Sequence, residues 1–441
     1  MCERAFLPDE GRDDQPMEEP VTYESLTPIG EYPIIALSVA YELELAGVCR
    51  LLAAGKVPVL AEERSERDPF VLAGGPLTFS NPLPLAPYVD AMIVGEAEAL
   101  MPIVCRVVLE ASSRRAALEE IARMEGVYVP LLHGDELPLV AKVDDAMLPA
   151  FSAIRTPHTE LSNMFLIESE RGCSRGCTYC VMRRSTNGGM RIVPKDVLLE
   201  RIPEDARRVG LVGAAVSDHP KIVEIVRTLA ERGKEVGLSS LRPDRLSDDF
   251  VAALKLAGYR TLTTAMDGPS ERMRLLLERR AKETHLVRVA ERAKKHGMDR
   301  LKLYLMVGLP DETDEDIDEC VRFTTELSRI MPVALGIAPF CSKRNTPLDG
   351  MPFAGIKLVE GRLDRLRRGL RGRADVRATS ARWAWVEWVL AQGGPLEGRA
   401  VLDAVRAGGS FADYKRAFAA LPEARPRRKL AIVRDRPEAA S

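Results

Sequence analysis

The sequence predicts an α/β protein whose central part is a partial barrel of six parallel β-strands. Three observations lead to this prediction. Six apolar, strand-like runs lie between residues 160 and 350, amphipathic helical segments separate most of them, and several of these segments have a capping residue or end at a glycine. A long series of strand–helix units favours a barrel-type parallel sheet. A shorter α/β alternation precedes this part, and a charged helical part follows it.

The chain of 441 residues is long enough for two or three domains. We expect an incomplete Rossmann-like α/β domain over 1–145 and the partial barrel over 160–350. A small helical C-terminal region over 351–425 and a flexible tail over 426–441 follow.

Composition limits the class of protein. The chain is 46% hydrophobic and 29% charged, with a net charge of −2, which is typical of globular proteins and gives no reason to expect nucleic-acid binding. No apolar run approaches the roughly 20 residues that a membrane-spanning helix needs. The first residues lack the pattern of a signal peptide. Eight cysteines, three of them in one short loop, indicate a reducing compartment, so we expect a cytoplasmic protein.

The first domain alternates strands and helices with glycine-bearing links. Pro33–Val39 is a strand-like run, and the leucines of Tyr41–Ala54 recur at helical spacing. Phe70–Leu72 and Asp90–Val94 each lead into a glycine, and Glu96–Ser112 is helical in pattern. This order predicts a parallel, doubly wound unit.

The central part supplies the six strands and the helices between them. Ser247 is a candidate N-cap, and Gly258 is a candidate stop for the helix between them. The predicted strands are Met164–Ile167, Val209–Val216, Val236–Leu241, Arg260–Met266, Leu301–Val307 and Val333–Phe340. The predicted helices are Lys221–Arg232, Asp248–Ala257, Ser270–Arg280, Lys282–His296 and Asp314–Ile330.

A cysteine motif directly follows the first of these strands. Cys173, Cys177 and Cys180 have C-x3-C-x2-C spacing. Thiolates suit zinc or an iron–sulfur cluster. A structural zinc site wants four ligands, and the loop offers no fourth Cys or His. An iron–sulfur cluster on three cysteines would keep one iron open to a substrate or cofactor. A zinc loop and three incidental cysteines are the alternatives.

This spacing, with Tyr179 just before the third cysteine, resembles the signature of the radical S-adenosylmethionine (radical SAM) superfamily. The resemblance implies that the three cysteines hold a 4Fe–4S cluster whose fourth iron binds the amino and carboxylate groups of S-adenosylmethionine. An electron from the cluster would then yield a 5′-deoxyadenosyl radical. The resemblance also implies a reductant of the flavodoxin or ferredoxin type. The partial barrel agrees with the fold of this superfamily.

Four further stretches are similar to superfamily motifs, in the superfamily's order. Gly213 and Ala214 resemble a Gly-Gly-Glu motif whose acidic member is absent here, and the GLP turn resembles the superfamily's GLPGET. Barrel enzymes work at the C-terminal ends of their strands, where these stretches lie. The resemblance therefore implies cofactor contacts at Tyr179, Gly213, Ala214, Ser240, Arg242, Asp267, Arg272, Val307, Gly308 and Leu309.

The first domain is similar to the cobalamin-binding-like domain of one radical SAM subgroup, in an uncharacterised branch. The similarity lies in Ala73–Pro76 and Asn81–Ala99. In such domains D-x-H-x-x-G supplies the protein ligand, and none of the five histidines stands in that pattern. We therefore expect a scaffold domain that does not bind cobalamin.

The function expected from these features is a radical SAM enzyme of unidentified substrate. The alternatives are a cobalamin-dependent radical methyltransferase, a tRNA or protein methylthiotransferase, and a non-catalytic iron–sulfur sensor. A methylthiotransferase would need three further cluster cysteines, and the first domain has only Cys2, Cys49 and Cys105. Cys341 follows the sixth strand, so it is either a candidate hydrogen donor at the barrel rim or an inert loop thiol. The arginine-rich Gly361–Arg373 lacks interleaved aromatic residues, so nucleic acid is not indicated.

Overall fold

The structure, a computed structural model, describes residues 2–7, 18–182, 189–239 and 241–422. Two compact units divide the chain. One comprises Met1–Val143, Ser342–Gly350 and Val386–Ser441, and the other comprises Asp144–Cys341 and Met351–Trp385. The domain boundaries expected from the sequence stay predictions, and the tail expected over 426–441 lies outside the described residues.

The N-terminal part of the first unit is a four-stranded sheet with short helices. The strands are β1 Ile34–Ser38, β2 Phe70–Gly74, β3 Ala91–Ile93 and β4 Val127–Tyr128. Their order is β1-β2-β3-β4, with the first three parallel and β4 antiparallel to β3. The helices are α1 Leu45–Ala54, α2 Leu100–Glu110, α3 Arg114–Ile121 and α4 Pro130–His133. The strands predicted at Pro33–Val39, Phe70–Leu72 and Asp90–Val94 are confirmed.

The second unit contains the barrel strands and a separate short pair. Its described strands are β5 Met164–Glu168, β6 Glu170–Arg171, β7 Arg191–Ile192, β8 Arg208–Val212, β9 Glu235–Leu238, β10 Thr261–Asp267, β11 Arg300–Val307, β12 Val333–Pro339 and β13 Ala374–Ala378. Parallel ladders give the orders β5-β8-β9 and β10-β11-β12-β13, and β6 and β7 form an antiparallel pair. The hydroxyl of Thr264 donates a 2.7 Å hydrogen bond to the carbonyl of Leu241, which links β10 to the segment after β9. The predicted α/β partial barrel is confirmed.

Helices alternate with these strands. Their bounds are α5 Lys195–Arg201, α6 Ile222–Glu231, α7 Asp248–Leu256, α8 Glu271–Leu276, α9 Glu283–Lys295, α10 Asp314–Ile330, α11 Ile356–Gly369 and α12 Ala381–Gln392. The predicted cap at Ser247 forms, because its hydroxyl accepts a hydrogen bond from the amide of Phe250. Alternate residues of the strands, such as Leu301 and Leu303 of β11, are buried in the core shared with these helices.

Strand β13 is a feature that the sequence did not predict. The region after residue 351 was expected to be helical, and Ala374–Ala378 instead pairs in parallel with β12. The segment reads ADVRA, so it carries two charges in five residues and lacks the apolar run by which a barrel strand is recognised. Its pairing with β12, rather than its own composition, determines its structure.

The last two described helices belong to the first unit. They are α13 Pro395–Arg406 and α14 Phe411–Ala419. The side-chain amide of Asn81 donates hydrogen bonds of 2.8–3.2 Å to the carbonyls of Leu390, Ala391 and Gly393. Across the described residues, no helix is long and apolar enough to cross a membrane.

Candidate functional site

A cavity of about 190 Å³ lies among the C-terminal ends of the barrel strands. The cysteine loop forms one wall, and residues that follow β8, β9 and β10 form the others. Seven of the residues predicted from the sequence line it, including all three motif cysteines. The full lining is Cys173, Arg175, Cys177, Tyr179, Cys180, Met182, Ala214, Arg242, Ala265, Asp267 and Arg279.

The loop that carries the cysteines is anchored at its middle. The amide and hydroxyl of Thr178 donate hydrogen bonds to the carbonyls of Leu277 (3.2 Å) and Leu276 (3.3 Å). Cys173 and Cys177 are buried, and Cys180 is partly exposed. Burial raises the pKa of the Cys180 thiol. A positive ion or cluster at the loop would be needed to hold this thiol as a thiolate.

Donor groups converge on two of the sulfur atoms. The guanidinium of Arg242 donates a 3.2 Å hydrogen bond to Cys173 Sγ, and the backbone amide of Arg175 donates one of 3.4 Å to the same atom. Arg279 Nη1 lies 4.0 Å from Cys177 Sγ. Such donors stabilise negative charge on sulfur. The loop is therefore prepared to hold its cysteines in the thiolate form once a metal group binds.

Asp218 holds two of these arginines in place. Its carboxylate accepts hydrogen bonds from Arg175 at 3.0 and 3.1 Å and pairs with Arg242 at 3.2 Å and with Arg245 at 3.1 Å. Burial alone would raise the pKa of Asp218, but these guanidinium groups lower it on balance. Asp218 is therefore an ionised anchor behind the cavity rather than a group that contacts its contents.

Asp267 and Arg279 form an ion pair in the cavity wall. Asp267 has a φ of 64°, and the neighbours of Arg279, Glu278 and Arg280, have φ values of 51° and 56°. Left-handed backbone at residues other than glycine is uncommon and is often found at functional sites. Burial disfavours the charged guanidinium, but Asp267 raises the pKa of Arg279 on balance, so Arg279 stays charged.

Glu170 lies behind the predicted Gly213–Ala214 contact. Its Oε1 accepts a 2.6 Å hydrogen bond from the amide of Ala215, and a Cβ at Gly213 would lie 2.1 Å from the same oxygen. Within the described residues, Glu170 Oε2 is buried without a hydrogen-bond partner. Burial raises the pKa of Glu170 to about 7. A carboxyl group thus lies against a motif whose own acidic residue is absent.

Other predicted contacts lie away from the lining. Arg272 pairs with Asp316 and donates a 2.8 Å hydrogen bond to the carbonyl of Asp311. Ser240 lies outside the described residues. Gly213 lies against the carboxyl group of Glu170 and does not line the cavity. The role of each residue in cofactor binding stays a prediction.

The turn after β11 is ordered by a glutamate. The amides of Gly308 and Leu309 donate hydrogen bonds of 2.9 and 3.3 Å to the carboxylate of Glu312, which pairs with Arg362 at 2.8 Å. Val307 is buried in the core. Glu312 therefore fixes the backbone of Gly308 and Leu309, and none of the three predicted contacts Val307, Gly308 and Leu309 is part of the cavity lining.

Cys341 is partly buried after β12. Its Sγ lies 3.1 Å from the carbonyl oxygen of Ala384, to which the thiol can donate. It does not line the cavity that contains the motif cysteines. Its role as a hydrogen donor stays a prediction.

Sequence reasoning missed five residues near the cysteines: Glu170, Arg175, Met182, Ala265 and Arg279. Arg175 lies within the motif, and a cation beside three thiols was a signal that could have been used. Ala265 precedes the predicted Asp267 by two residues on β10, but the register shifts between them, with Ala265 opposite Tyr304 and Asp267 opposite Leu305, so simple alternation could not relate the two. Arg279 and Glu170 are brought to the cavity by tertiary structure, and their sequence surroundings give no such signal.

The chemistry of the donor set fits a 4Fe–4S cluster. Three thiols of one loop face one cavity, with donors aimed at two of the sulfurs. Among residues 2–7, 18–182, 189–239 and 241–422, no three His, Cys, Asp or Glu side chains form a group that could hold a metal ion. A cluster of four irons spreads its cysteine ligands farther apart than a single ion does. With three thiols and no fourth Cys or His, the loop fits a cluster with one open iron better than a zinc site that needs four ligands.

Comparisons with known proteins agree with this geometry. Residues 1–130 match the N-terminal family of radical SAM proteins, and residues 167–324 match the radical SAM superfamily. An uncharacterized protein of Methanocaldococcus jannaschii is 32% identical over 298 residues, which cover 64% of this chain and 62% of that protein. The ribosomal protein uS12 methylthiotransferase RimO of Trichlorobacter lovleyi is 25% identical over 241 residues, covering 50% and 52% of the two chains.

Among solved structures, the radical SAM methyltransferase TsrM of Kitasatospora setae, with cobalamin and a 4Fe–4S cluster bound, is similar in fold. Its TM-score is 0.50 at 14% identity, over 75% of this chain and 64% of that one. This chain spans about half to two thirds of the length of the proteins it matches. The similarity to TsrM concerns the fold.

Proposed function

Because the chain belongs to the radical SAM superfamily, we propose that it cleaves S-adenosylmethionine reductively at a 4Fe–4S cluster and acts on a further substrate. The observation that carries this proposal is the convergence of Cys173, Cys177 and Cys180 on one cavity at the C-terminal ends of the barrel strands. Superfamily membership supports the enzyme class.

In this proposal, cysteines of the chain hold the cluster and arginines balance the negative charge of its ligands. Cys173, Cys177 and Cys180 would hold the cluster, which when bound supplies the electron that cleaves S-adenosylmethionine to methionine and a 5′-deoxyadenosyl radical. Arg242 and Arg279 would balance negative charge on the thiolates through the contacts described above.

The cofactor-binding residues extend this proposal. Tyr179, Ala214 and Asp267 line the cavity and would contact S-adenosylmethionine. Glu170 would fix the backbone of 213–215 through the amide of Ala215. We propose the remaining predicted contacts on the basis of the resemblance to superfamily motifs. They are Gly213, Ser240, Arg272, Val307, Gly308 and Leu309. Cys341 is proposed as a candidate hydrogen donor, and Cys341→Ala tests it through the product of the true substrate.

Radical SAM enzymes need an electron donor. We propose a flavodoxin or ferredoxin as that donor, and a cytoplasmic location, because eight cysteines and an iron–sulfur cluster would require reducing conditions. We also propose that the first unit does not bind cobalamin, since no histidine stands in the D-x-H-x-x-G pattern. TsrM was solved with cobalamin bound, so the cobalamin-dependent methyltransferase is the main alternative to test.

The methylthiotransferase alternative has less support. It would need further cluster cysteines in the first unit, and Cys49 there is 1% exposed. Burial raises the pKa of Cys49 to about 11. A buried, protonated thiol inside α1 is a poor cluster ligand.

Anaerobic reconstitution tests the proposed function. The purified chain should take up iron and sulfide in equal amounts and, with dithionite, should form 5′-deoxyadenosine and methionine from S-adenosylmethionine. An omission of reductant is the control. A reconstituted cluster that never cleaves S-adenosylmethionine would favour the iron–sulfur sensor instead.

A further inference from the structure

The inner face of the barrel carries a row of side chains that the cofactor site does not use. Leu301, Leu303, Leu305 and Val307 of β11 are buried in the core that the strands share with the helices. Successive side chains of a strand point to opposite faces, so the even-numbered residues of β11 occupy the inner face. Tyr304 is on that face.

Strand register connects this face to the cysteine cavity. Ala265 of β10, which lines the cavity, is the parallel partner of Tyr304. Tyr304 is the partner of Gly336 on β12, and Gly336 is the partner of Arg377 on β13. Partnered residues of neighbouring strands share a face. One row therefore runs from the cavity through Tyr304 and Gly336 to Arg377.

Tyr304 is open to solvent, although it lies in the middle of a strand that has a neighbour on each side. The residue is 46% exposed. A Cβ at Gly336 would lie 2.7 Å from two atoms of the Tyr304 ring, so glycine leaves room for the ring to extend over β12. Lys302 Nζ lies 4.7 Å from the centre of the ring. An exposed aromatic ring beside a cation on the inner face is a surface for a ligand.

The same face has an excess of positive charge. On β11 and β13 its charged residues are the cations Arg300, Lys302 and Arg377 and a single acid, Asp375. Asp375 pairs with Arg377 at 3.0 Å and lies 3.8 Å from Arg300. The single carboxylate of Asp375 therefore lies near two guanidinium groups, and Lys302 adds a third positive charge to this face. Such a face attracts an anion.

The middle of the inner face of the opposite strands is apolar. Met164 of β5 covers Gly210 and Gly237: its Sδ would lie 2.8 Å from a Cβ at Gly210, and its Cε 3.3 Å from one at Gly237. Leu166, also of β5, lies against Gly210. Charged residues at the two ends of this face are ion-paired, Glu168 with Arg171 at 2.7 Å and Arg208 with Glu235 at 3.4 Å. The barrel interior thus has an apolar patch on β5, β8 and β9 and a cationic, aromatic half on β11 and β13.

We propose that the substrate taken up by this interior is a small anionic molecule, a carboxylate or phosphate, with an apolar or aromatic body. Lys302 and Arg377 would bind the anionic group, Tyr304 would pack against the body, and Met164 would cover its far side. The row through Ala265 would present the body to the cysteine cavity. This inference rests on the proposed function, whose radical would be formed in that cavity.

Binding of defined probes to the reconstituted protein, with S-adenosylmethionine present, tests the inference without a known substrate. The probes are 2-naphthyl phosphate, 2-naphthoate and the neutral 2-naphthol, measured by calorimetry. The variants are the double variant Lys302→Gln/Arg377→Gln and the single variant Arg377→Glu. The side chain of Arg377 is 76% exposed in the wild type, so its replacement does not disturb the core. Arg382→Gln is the matched control, because Arg382 is an exposed arginine of the same unit, 3.9 Å from Glu360 on the helical layer.

We expect saturable binding of at least one anionic probe, tighter than that of 2-naphthol. The double variant should weaken it about tenfold or more, and Arg382→Gln should not change it. The phosphate and carboxylate probes distinguish the two sources of the anion. Absence of saturable anion binding, or equal binding by Arg377→Glu and wild type, would overturn the inference. Failure of the proposed function would be seen in a separate assay, in which the wild-type protein would form no 5′-deoxyadenosine.

Discussion

Arg242 Nη2 lies 3.2 Å from Cys173 Sγ, so a guanidinium from the loop after β9 contacts the first cysteine of the motif. The side chain of Arg242 is buried, and its Nε is held by Asp218 at 3.2 Å. Hydrogen bonds and positive charge at ligand sulfurs stabilise the reduced form of an iron–sulfur cluster. The contact therefore predicts a measurable effect on cluster reduction.

Arg242→Gln should make the cluster harder to reduce. We expect the midpoint potential to fall by roughly 60 mV, which corresponds to about a tenfold change in a one-electron equilibrium. The measurement is a redox titration followed by electron paramagnetic resonance. Arg245→Gln is the control, because Arg245 binds the same Asp218 at 3.1 Å without a described contact to a cysteine. Equal potentials in wild type and Arg242→Gln would refute the role of this contact.

Gly213→Ala should damage the loop after β8. The added Cβ would lie 2.1 Å from Glu170 Oε1, so the carboxyl or the loop must move. Overpacking of this kind costs about 1–3 kcal/mol of unfolding free energy, and we also expect weaker S-adenosylmethionine binding. Denaturant unfolding and equilibrium dialysis measure the two effects. Gly361→Ala is the control, since a Cβ there meets nothing within 4 Å, and it should leave stability equal or higher.

Glu170 predicts a pH dependence of stability. Its pKa rises from the usual 4.5 to about 7 in the fold, chiefly through burial. The folded state then binds more protons than the unfolded state between these values, so the contribution of Glu170 is present below pH 4.5 and lost as pH rises to about 7. Glu170→Gln should remove this loss, roughly 3 kcal/mol at most.

The measurement is the unfolding free energy at about pH 5 and about pH 8 for wild type and Glu170→Gln. The difference between the two proteins should change with pH in favour of the variant at the higher pH. A difference that is the same at both values would mean that Glu170 titrates normally in the fold.

The sequence predicted those parts of the site that depend on patterns between residues close together in the chain. The cysteine spacing, Tyr179 and the capped helices are local patterns, and the strand ends at Ala214, Arg242 and Asp267 follow from alternation of strands and helices. Arg279 and Glu170 could not be predicted in this way. Arg279 reaches the cavity because the backbone on both sides of it is left-handed, and Glu170 because β6 brings it against Gly213.

Strand β13 shows the same limit at the level of the fold. Its charged sequence satisfies no apolar pattern, and its register with β12 is fixed by tertiary packing. The inner row that includes Arg377 depends on this strand, so it could not have been proposed before the structure was known.

The first unit should not retain cobalamin. We expect the protein, incubated with hydroxocobalamin and passed over a gel-filtration column, to elute without the visible absorption of the corrinoid, since no D-x-H-x-x-G histidine is present. Bovine serum albumin treated in the same way is the control for carry-over. Stoichiometric retention would favour the cobalamin-dependent radical methyltransferase, because cobalamin can also bind without a protein ligand.

The three motif cysteines should hold the cluster that cleaves S-adenosylmethionine. The test compares the reconstituted wild type with Cys173→Ala/Cys177→Ala/Cys180→Ala, with Cys320→Ala as a control at a buried thiol outside the loop. Wild type and control should bind the cluster and form 5′-deoxyadenosine under reducing conditions. The triple variant should lose both. Formation of 5′-deoxyadenosine by the triple variant at the rate of wild type would contradict the account.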